Sequence, residues 1–201
     1  MALADLTFKL YNDAALTQLF GGTLSLVHES DLSDNPQDSV LYFGSPSTDV
    51  QLQAVSNPGV DNITIAPLNT LPAWVASTAQ IIGYDVQPTV SNDRKYVVET
   101  AGTSAATEPS WPIGIGSTVL DGTILWRCVS KTHEPAEFKL ATTLLGLDSA
   151  VAGAALIMGT TLLSTSANAV PVHIRTVNTV TTPSANDYIS LNINNVTETA
   201  V

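Results

Sequence analysis

A chain of 201 residues supplies enough material for one large core or two small ones, and 44% hydrophobic residues exclude a disordered chain. Only 12% are charged, and 18 acids against 7 bases give a formal charge of −11. Such a surface repels phosphate backbones and anionic bilayers, so it disfavours nucleic acid and membrane as partners. The single cysteine, Cys128, excludes an intrachain disulfide and a cysteine-rich metal site.

In chain order, period-two alternation dominates. Residues 6–11 place Leu6, Phe8 and Leu10 on one face, and residues 23–28 repeat the pattern after Gly21-Gly22. Residues 40–43 form a short apolar run ended by Gly44-Ser-Pro46. Residues 51–55 and 62–66 read as two strands separated by Asn57-Pro-Gly59, a strong turn signal. Residues 67–72 read as a connector. Strands follow at 95–99, 118–120 and 123–128, the last after an Asp-Gly turn. Beyond residue 131, residues 137–141 predict a strand, and the Ala-rich stretch within 144–155 one short helix. Residues 154–158 and 161–163 predict a hairpin around Gly159. Residues 169–177 are the clearest strand of this half, where Pro171 favours an edge or a strand start. Residues 188–194 close the pattern, and the polar tail is expected to fray.

All three tryptophans, two of the five tyrosines and the only cysteine fall between Trp74 and Cys128. The flanks are aliphatic and rich in Thr, Ser and Asn. Two similar flanks around a different middle predict an all-β protein. Its expected form is an antiparallel β-sandwich, split between residues 1–70 and 132–201, with 71–131 as an inserted small β-module. The alternative is three sequential pieces, but neither flank alone readily builds a two-layer core.

Catalytic signatures are sparse. His28, His133 and His173 are far apart and show no metal spacing. There is no Gly-x-Ser-x-Gly elbow, Walker loop or His-Glu-x-x-His, and Gly114-Ile-Gly116 is too bare for a nucleotide site. Ser104 suits a turn, and Cys128 in an apolar strand reads as a buried thiol. Glu99 and Glu108 show no partnership of the kind a glycosidase needs. No catalytic residue, cofactor or resident metal is therefore expected. One loop has a second reading: Glu29, Asp31, Asp34 and Asp38 place four carboxylates in ten positions and could hold Ca²⁺, although the spacing is not that of the twelve-residue calcium loop. The aromatics carry the binding reading. Indole faces stack on sugar rings, and Trp111, in a loop-like stretch before Pro112, is the expected exposed ring. Trp126 alternates with core residues, and Trp74 and Tyr84 complete the candidate glycan contacts.

The segment Trp74, Ala76-Ser-Thr78, Gly83, Val86-Gln-Pro88, Tyr96, Gly102-Thr-Ser104, Glu108-Pro-Ser-Trp-Pro112, Gly116, Val119 and Asp121-Gly-Thr-Ile-Leu-Trp126 resembles a small module recurrent in tailed-bacteriophage structural proteins. It is similar to carbohydrate-binding modules of the chitin-binding sort, and the resemblance covers about 60 of the 201 residues. Ile81-Ile82 stand where a tyrosine often precedes the glycine, and Ala105 replaces a glycine. Residues 6–16 and 167–175 resemble immunoglobulin-like sandwich pieces of such virion proteins, which implies an immunoglobulin-like antiparallel β-sandwich for the flanks. The resemblance implies a non-enzymatic virion structural protein, folded in a bacterial host cytoplasm: a capsid decoration (cement) protein displaying a surface-binding module. Its implied partners are other virion proteins, further copies of itself as a homo-oligomer, and host surface glycans. The alternative within the same resemblance is a tail- or fibre-associated adsorption protein binding host glycans.

Overall fold

The structure, a computed structural model, describes residues 6–22, 24, 26–29, 31–181 and 188–201. Its strands begin with β1 (Lys9–Tyr11), β2 (Gln37–Gly44), β3 (Val50–Ala54), β4 (Ile63–Asn69), β5 (Ala79–Gln80) and β6 (Asp85–Val86). Next come β7 (Arg94–Thr100), β8 (Gly102–Thr103), β9 (Thr118–Asp121), β10 (Ile124–Lys131) and β11 (Phe138–Ala141). One helical turn, α1 (Gly146–Ser149), precedes β12 (Leu156–Gly159), β13 (Thr161–Leu163), β14 (Val170–Thr176), β15 (Ile189–Ile193) and β16 (Val196–Ala200). The protein is all-β and its sheets are antiparallel.

Two compact units divide the chain. Unit 1 comprises Met1–Leu68, Pro135–Asn178 and Leu191–Val201; unit 2 comprises Asn69–Glu134 and Thr179–Ser190. The segment 179–190, assigned by pattern to the sandwich, thus joins the module instead. Tyr188 explains this, because it is buried, its hydroxyl accepts the His133 N–H at 2.9 Å, and its carbonyl accepts the Thr70 N–H at 2.7 Å. Lys95 Nζ also sits 5.8 Å from its ring centroid.

Unit 1 is a sandwich. One sheet runs β1-β2-β14-β11, and two three-stranded sheets run β12-β4-β15 and β13-β3-β16. Alternation turns Leu41, Phe43, Val172, Ile174 and Leu140 of the first sheet inward. There they form one cluster with Leu52, Ile63, Ile65, Met158, Leu162, Ile193 and Val196. Val172 lies directly opposite Leu41 in the ladder, so the inward rows coincide. Each such side chain contributes about 1.5–3 kcal/mol of burial. On the other side of the ladder Arg175 faces Asp38, donating from Nε at 2.7 Å and Nη2 at 2.8 Å, and reaches Asp148 from Nη1 at 2.6 Å.

Several expectations for unit 1 are corrected. Of the strand predicted at 23–28, residues 24 and 26–28 form no ladder, and 23 and 25 lie outside the described residues. The edge it would need is taken: Phe20 N donates to Leu10 O, and Leu19 bridges Tyr11 beside β1. The predicted hairpin at 154–163 does not pair with itself, because β12 joins β4 while β13 joins β3. The stretch read as a connector begins inside β4. Of the two places expected for Pro171, the strand start holds: it is second in β14, which is a central strand. The tail is ordered as β16 along β3, anchored by buried Val196, because ladder bonds use the backbone and tolerate polar side chains facing water.

Unit 2 contains the sheet β6-β7-β10-β9 and the short pair β5-β8. Its inner face carries Val86, Tyr96, Val98, Ile124, Trp126 and Cys128, with Trp74 in the same cluster.

Candidate functional site

The module is organised around one carboxyl group. Asp121 ends β9, directly opposite Ile124 in the β9–β10 hairpin, and is 2% exposed. Its Oδ2 accepts the indole N–H of Trp74 at 2.8 Å and that of Trp126 at 2.9 Å. Its Oδ1 accepts the Ala105 backbone N–H at 2.8 Å. A buried indole N–H needs an acceptor, and one aspartate serves two of them and a loop. The turn that aims it requires glycine, because Gly122 has φ 60° and a Cβ there would lie 2.3 Å from the Thr103 carbonyl oxygen.

The motif residues interlock at this point. Thr123 N donates to Thr103 O at 3.0 Å, and Thr103 N donates to Thr123 Oγ1 at 2.8 Å. Ser104 is buried, donating from Oγ to Val75 O at 2.7 Å and accepting the Thr78 N–H at 2.9 Å. The Gly-Thr-Ser and Asp-Gly-Thr elements are therefore halves of one clasp that closes around Trp74.

The predicted contact residues separate. Trp74 is buried at 8% exposure with its N–H held by Asp121, so it is a core residue and not a ligand platform. Trp111 is half-buried, not free-standing. Its ring centroid lies 4.4 Å from Tyr96 and 5.8 Å from Trp126, and its N–H donates to Glu108 Oε1 at 2.8 Å. Tyr96 fixes the same loop by donating from its hydroxyl to Pro112 O at 2.9 Å. Partial burial works to raise the Glu108 carboxyl, but hydrogen bonds from the Thr89 side chain and backbone and from Trp111 outweigh it and hold it below its ordinary value. Tyr84 is 36% exposed. Its carbonyl accepts the Val98 N–H at 3.0 Å, which ties the turn before β6 to β7.

Unit 2 also turns large aliphatic side chains to water. Ile81, Ile82, Gly83 and Tyr84 make a β-turn, closed by Tyr84 N to Ile81 O at 3.2 Å with Gly83 at φ 84°. The turn is tied down by Gly83 N to Val98 O at 3.0 Å. At its tip Ile81 is 75% exposed and Ile82 69% exposed. Ile113, Ile115 and Leu120 are exposed as well. The sequence signal for this turn was the pair of isoleucines before a glycine where a tyrosine often stands.

The remaining candidates do not assemble. Among the described residues no three His, Cys, Asp or Glu side chains gather as metal ligands. The four carboxylates of the 29–38 loop diverge: Glu29 is exposed, Asp31 accepts the Ser33 N–H, Asp34 accepts from Gln37, and Asp38 pairs with Arg175. His173 lies in β14 and His133 donates its backbone N–H to Tyr188. Glu99 sits 3.7 Å from Arg127, away from the partners of Glu108. Cys128 is fully buried, and burial pushes its thiol up. Asp121 and Tyr188 are the organising residues that pattern reading missed; the available sign for Asp121 was an acid closing an apolar strand before Gly-Thr. Comparison of the chain with family models, curated proteins and solved structures finds no match.

Proposed function

We propose that this chain is a non-enzymatic structural protein of a phage particle, a capsid decoration protein built on an immunoglobulin-like sandwich. The split sandwich is the attachment unit, repeated as copies on the lattice, and the inserted module carries the surface offered to other components. The observation that carries this reading is which side chains unit 2 exposes. Its tryptophans are anchored to its own core by Asp121 and Glu108, whereas Ile81 and Ile82 stand in water on a hydrogen-bonded turn. Exposed aliphatic groups on a rigid turn suit contact with another protein, because they gain apolar burial without needing polar partners. Many weak contacts on a symmetric particle add up through avidity. The resemblance of the clasp residues to a phage-type module supports the same reading. Cryo-microscopy of the particle tests it: density for this chain on the capsid lattice is expected, and density only at the tail overturns it.

A second reading, an adsorption protein that binds host glycans, is favoured by Tyr84, an aromatic residue that is 36% exposed in the unit that also carries the Trp111–Tyr96 pair. A glycan array with the whole chain separates the two readings. Binding lost in Tyr84→Ala at unchanged melting temperature supports adsorption; no binding to any glycan sinks it.

A further inference from the structure

We propose that the Asp121–Gly122 bond is a site of spontaneous covalent modification, isomerisation of aspartate through a cyclic succinimide, which the closed module suppresses and which, once it occurs, keeps the module open. Aspartate before glycine is the sequence most prone to this closure, because glycine has no side chain to shield its backbone nitrogen. The chain holds one Asp-Gly and no Asn-Gly, and the one falls on the anchor of unit 2. The fold demands both residues at that place. Gly122 has φ 60°, and a Cβ on it would lie 2.3 Å from the Thr103 carbonyl oxygen and 2.9 Å from the Ala105 nitrogen. Asp121 is the acceptor for both buried indoles, so neither half of the reactive pair can be exchanged without breaking the turn or the anchor.

In the closing step the Gly122 amide nitrogen attacks Cγ of Asp121 and forms a C–N bond. One carboxyl oxygen leaves as water, carrying the proton of the neutral acid and that of the amide. Water then opens the ring at either carbonyl. Opening at Cγ restores aspartate, whereas opening at the main-chain carbonyl leaves the chain running through Cγ as isoaspartate. The closed module opposes the first step, because both carboxyl oxygens are held: Oδ2 by Trp74 at 2.8 Å and Trp126 at 2.9 Å, Oδ1 by the Ala105 N–H at 2.8 Å. The residue is also 2% exposed, so the water that must open the ring is kept out. Isoaspartate adds one carbon to the main chain beside the tight turn that sets Asp121 opposite Ile124, and hangs the carboxylate directly on Cα. That shorter arm does not reach the two indoles and the Ala105 loop together. Their donors are then left unpaired, and the clasp does not re-form.

The test incubates the whole chain at about pH 6, where an unfolded aspartate keeps a small neutral fraction, once in buffer and once in urea. Trypsin releases residues Tyr96–Arg127 as one peptide in which Asp121 is the sole Asp or Asn, so isoaspartate in that peptide reports this site alone. It should accumulate in urea and form about a hundredfold or more slowly in the native chain, because reaction waits on opening. Ser104→Ala, which loosens the clasp without touching the reactive pair, should speed the native reaction, and Leu52→Ala should not. On dilution from urea, the fraction that regains native tryptophan emission should fall in step with the isoaspartate fraction. Should refolding itself be poor, molecules of the native incubation captured through a thiol-reactive tag on Cys128, the only cysteine, give an independent reading: isoaspartate must concentrate among them. Equal rates in buffer and urea overturn the proposal, as does an unfolded chain that forms no isoaspartate at residue 121. So does isoaspartate in molecules that regain native emission or keep the thiol closed.

Discussion

The two units solve the problem of a β core in opposite ways. Unit 1 packs aliphatic side chains of Leu, Ile, Val and Met, with Phe8 and Phe43, from two facing layers. Unit 2 has a four-stranded sheet and a short strand pair, and its core is built on Trp74, Tyr96 and Trp126 with Trp111 laid against them. Large rings supply the area that a second layer would otherwise provide, but each brings a polar atom inside. The consequence is a buried carboxyl placed to accept from two of those rings. Stability in unit 1 is therefore spread over many equivalent contacts, whereas in unit 2 it converges on Asp121.

Removing that point is the most damaging change available. Asp121→Ala leaves two buried indole N–H groups and one backbone N–H without an acceptor, at about 1–3 kcal/mol each. A unit of this size holds only about 4–12 kcal/mol in total, so the module is expected to unfold. All three tryptophans lie in unit 2, which makes their emission a reporter of that unit alone. The variant should show red-shifted, solvent-exposed emission at room temperature. Asp121→Asn, which keeps one acceptor oxygen, should lower the melting temperature without abolishing the fold. An unchanged emission midpoint in Asp121→Ala would refute the single-anchor account.

The corresponding cut in unit 1 is smaller. Leu52 is fully buried in the two-layer core, and Leu52→Ala is expected to cost about 2–5 kcal/mol. Far-UV circular dichroism should show an earlier transition while tryptophan emission keeps its midpoint. If both probes move together, the units are one cooperative body and the contrast drawn between them fails.

What pattern reading recovered follows the same division. The strands carrying Leu52, Ile63, Val172 and Ile174 were visible because alternation marks a half-buried sheet, and that of Leu41 and Phe43 as a short apolar run. The separate module was visible because aromatic residues cluster in sequence as well as in space. What escaped depends on distant partners. Residues 24 and 26–28 alternate as well as any strand, yet Leu19 and Phe20 already occupy the neighbouring edge. The segment 179–190 shows no local sign of belonging to the module, since the bonds that hold Tyr188 come from Thr70 and His133. Trp74 stood among the candidate contacts beside Trp111, because burial of an indole depends on where an acceptor forty-seven residues away ends up.

Acid should weaken both units through different carboxylates. The guanidinium of Arg175, by its hydrogen bonds first and its charge second, holds Asp38 below the ordinary carboxylate range. A depressed native value means the stabilisation is complete above the unfolded value, about pH 4, and is lost as the pH falls through the native one. In unit 2 Glu108 follows the same sign, with the bonds from Thr89 and Trp111 outweighing partial burial. Below about pH 4 the melting temperature of each unit should drop by a few degrees. Arg175→Met should flatten the acid limb of unit 1 seen by circular dichroism and leave the tryptophan limb unchanged. Thr89→Val should do the reverse.

The gentlest probe leaves stability untouched. Cys128 lies in β10 opposite Tyr96, fully buried, and desolvation raises its thiol above the ordinary value. Alkylation needs an accessible thiolate, so the native chain at pH 8 should resist iodoacetamide and react fully once denatured. Under native conditions the rate then measures how often unit 2 opens. Asp121→Asn should speed labelling because it loosens the ring cluster around Cys128, whereas Leu52→Ala should not, because the sandwich core is a different body. Equal labelling rates in the two variants would mean that opening of the module is governed from the sandwich, and the anchor at Asp121 would be only one support among several.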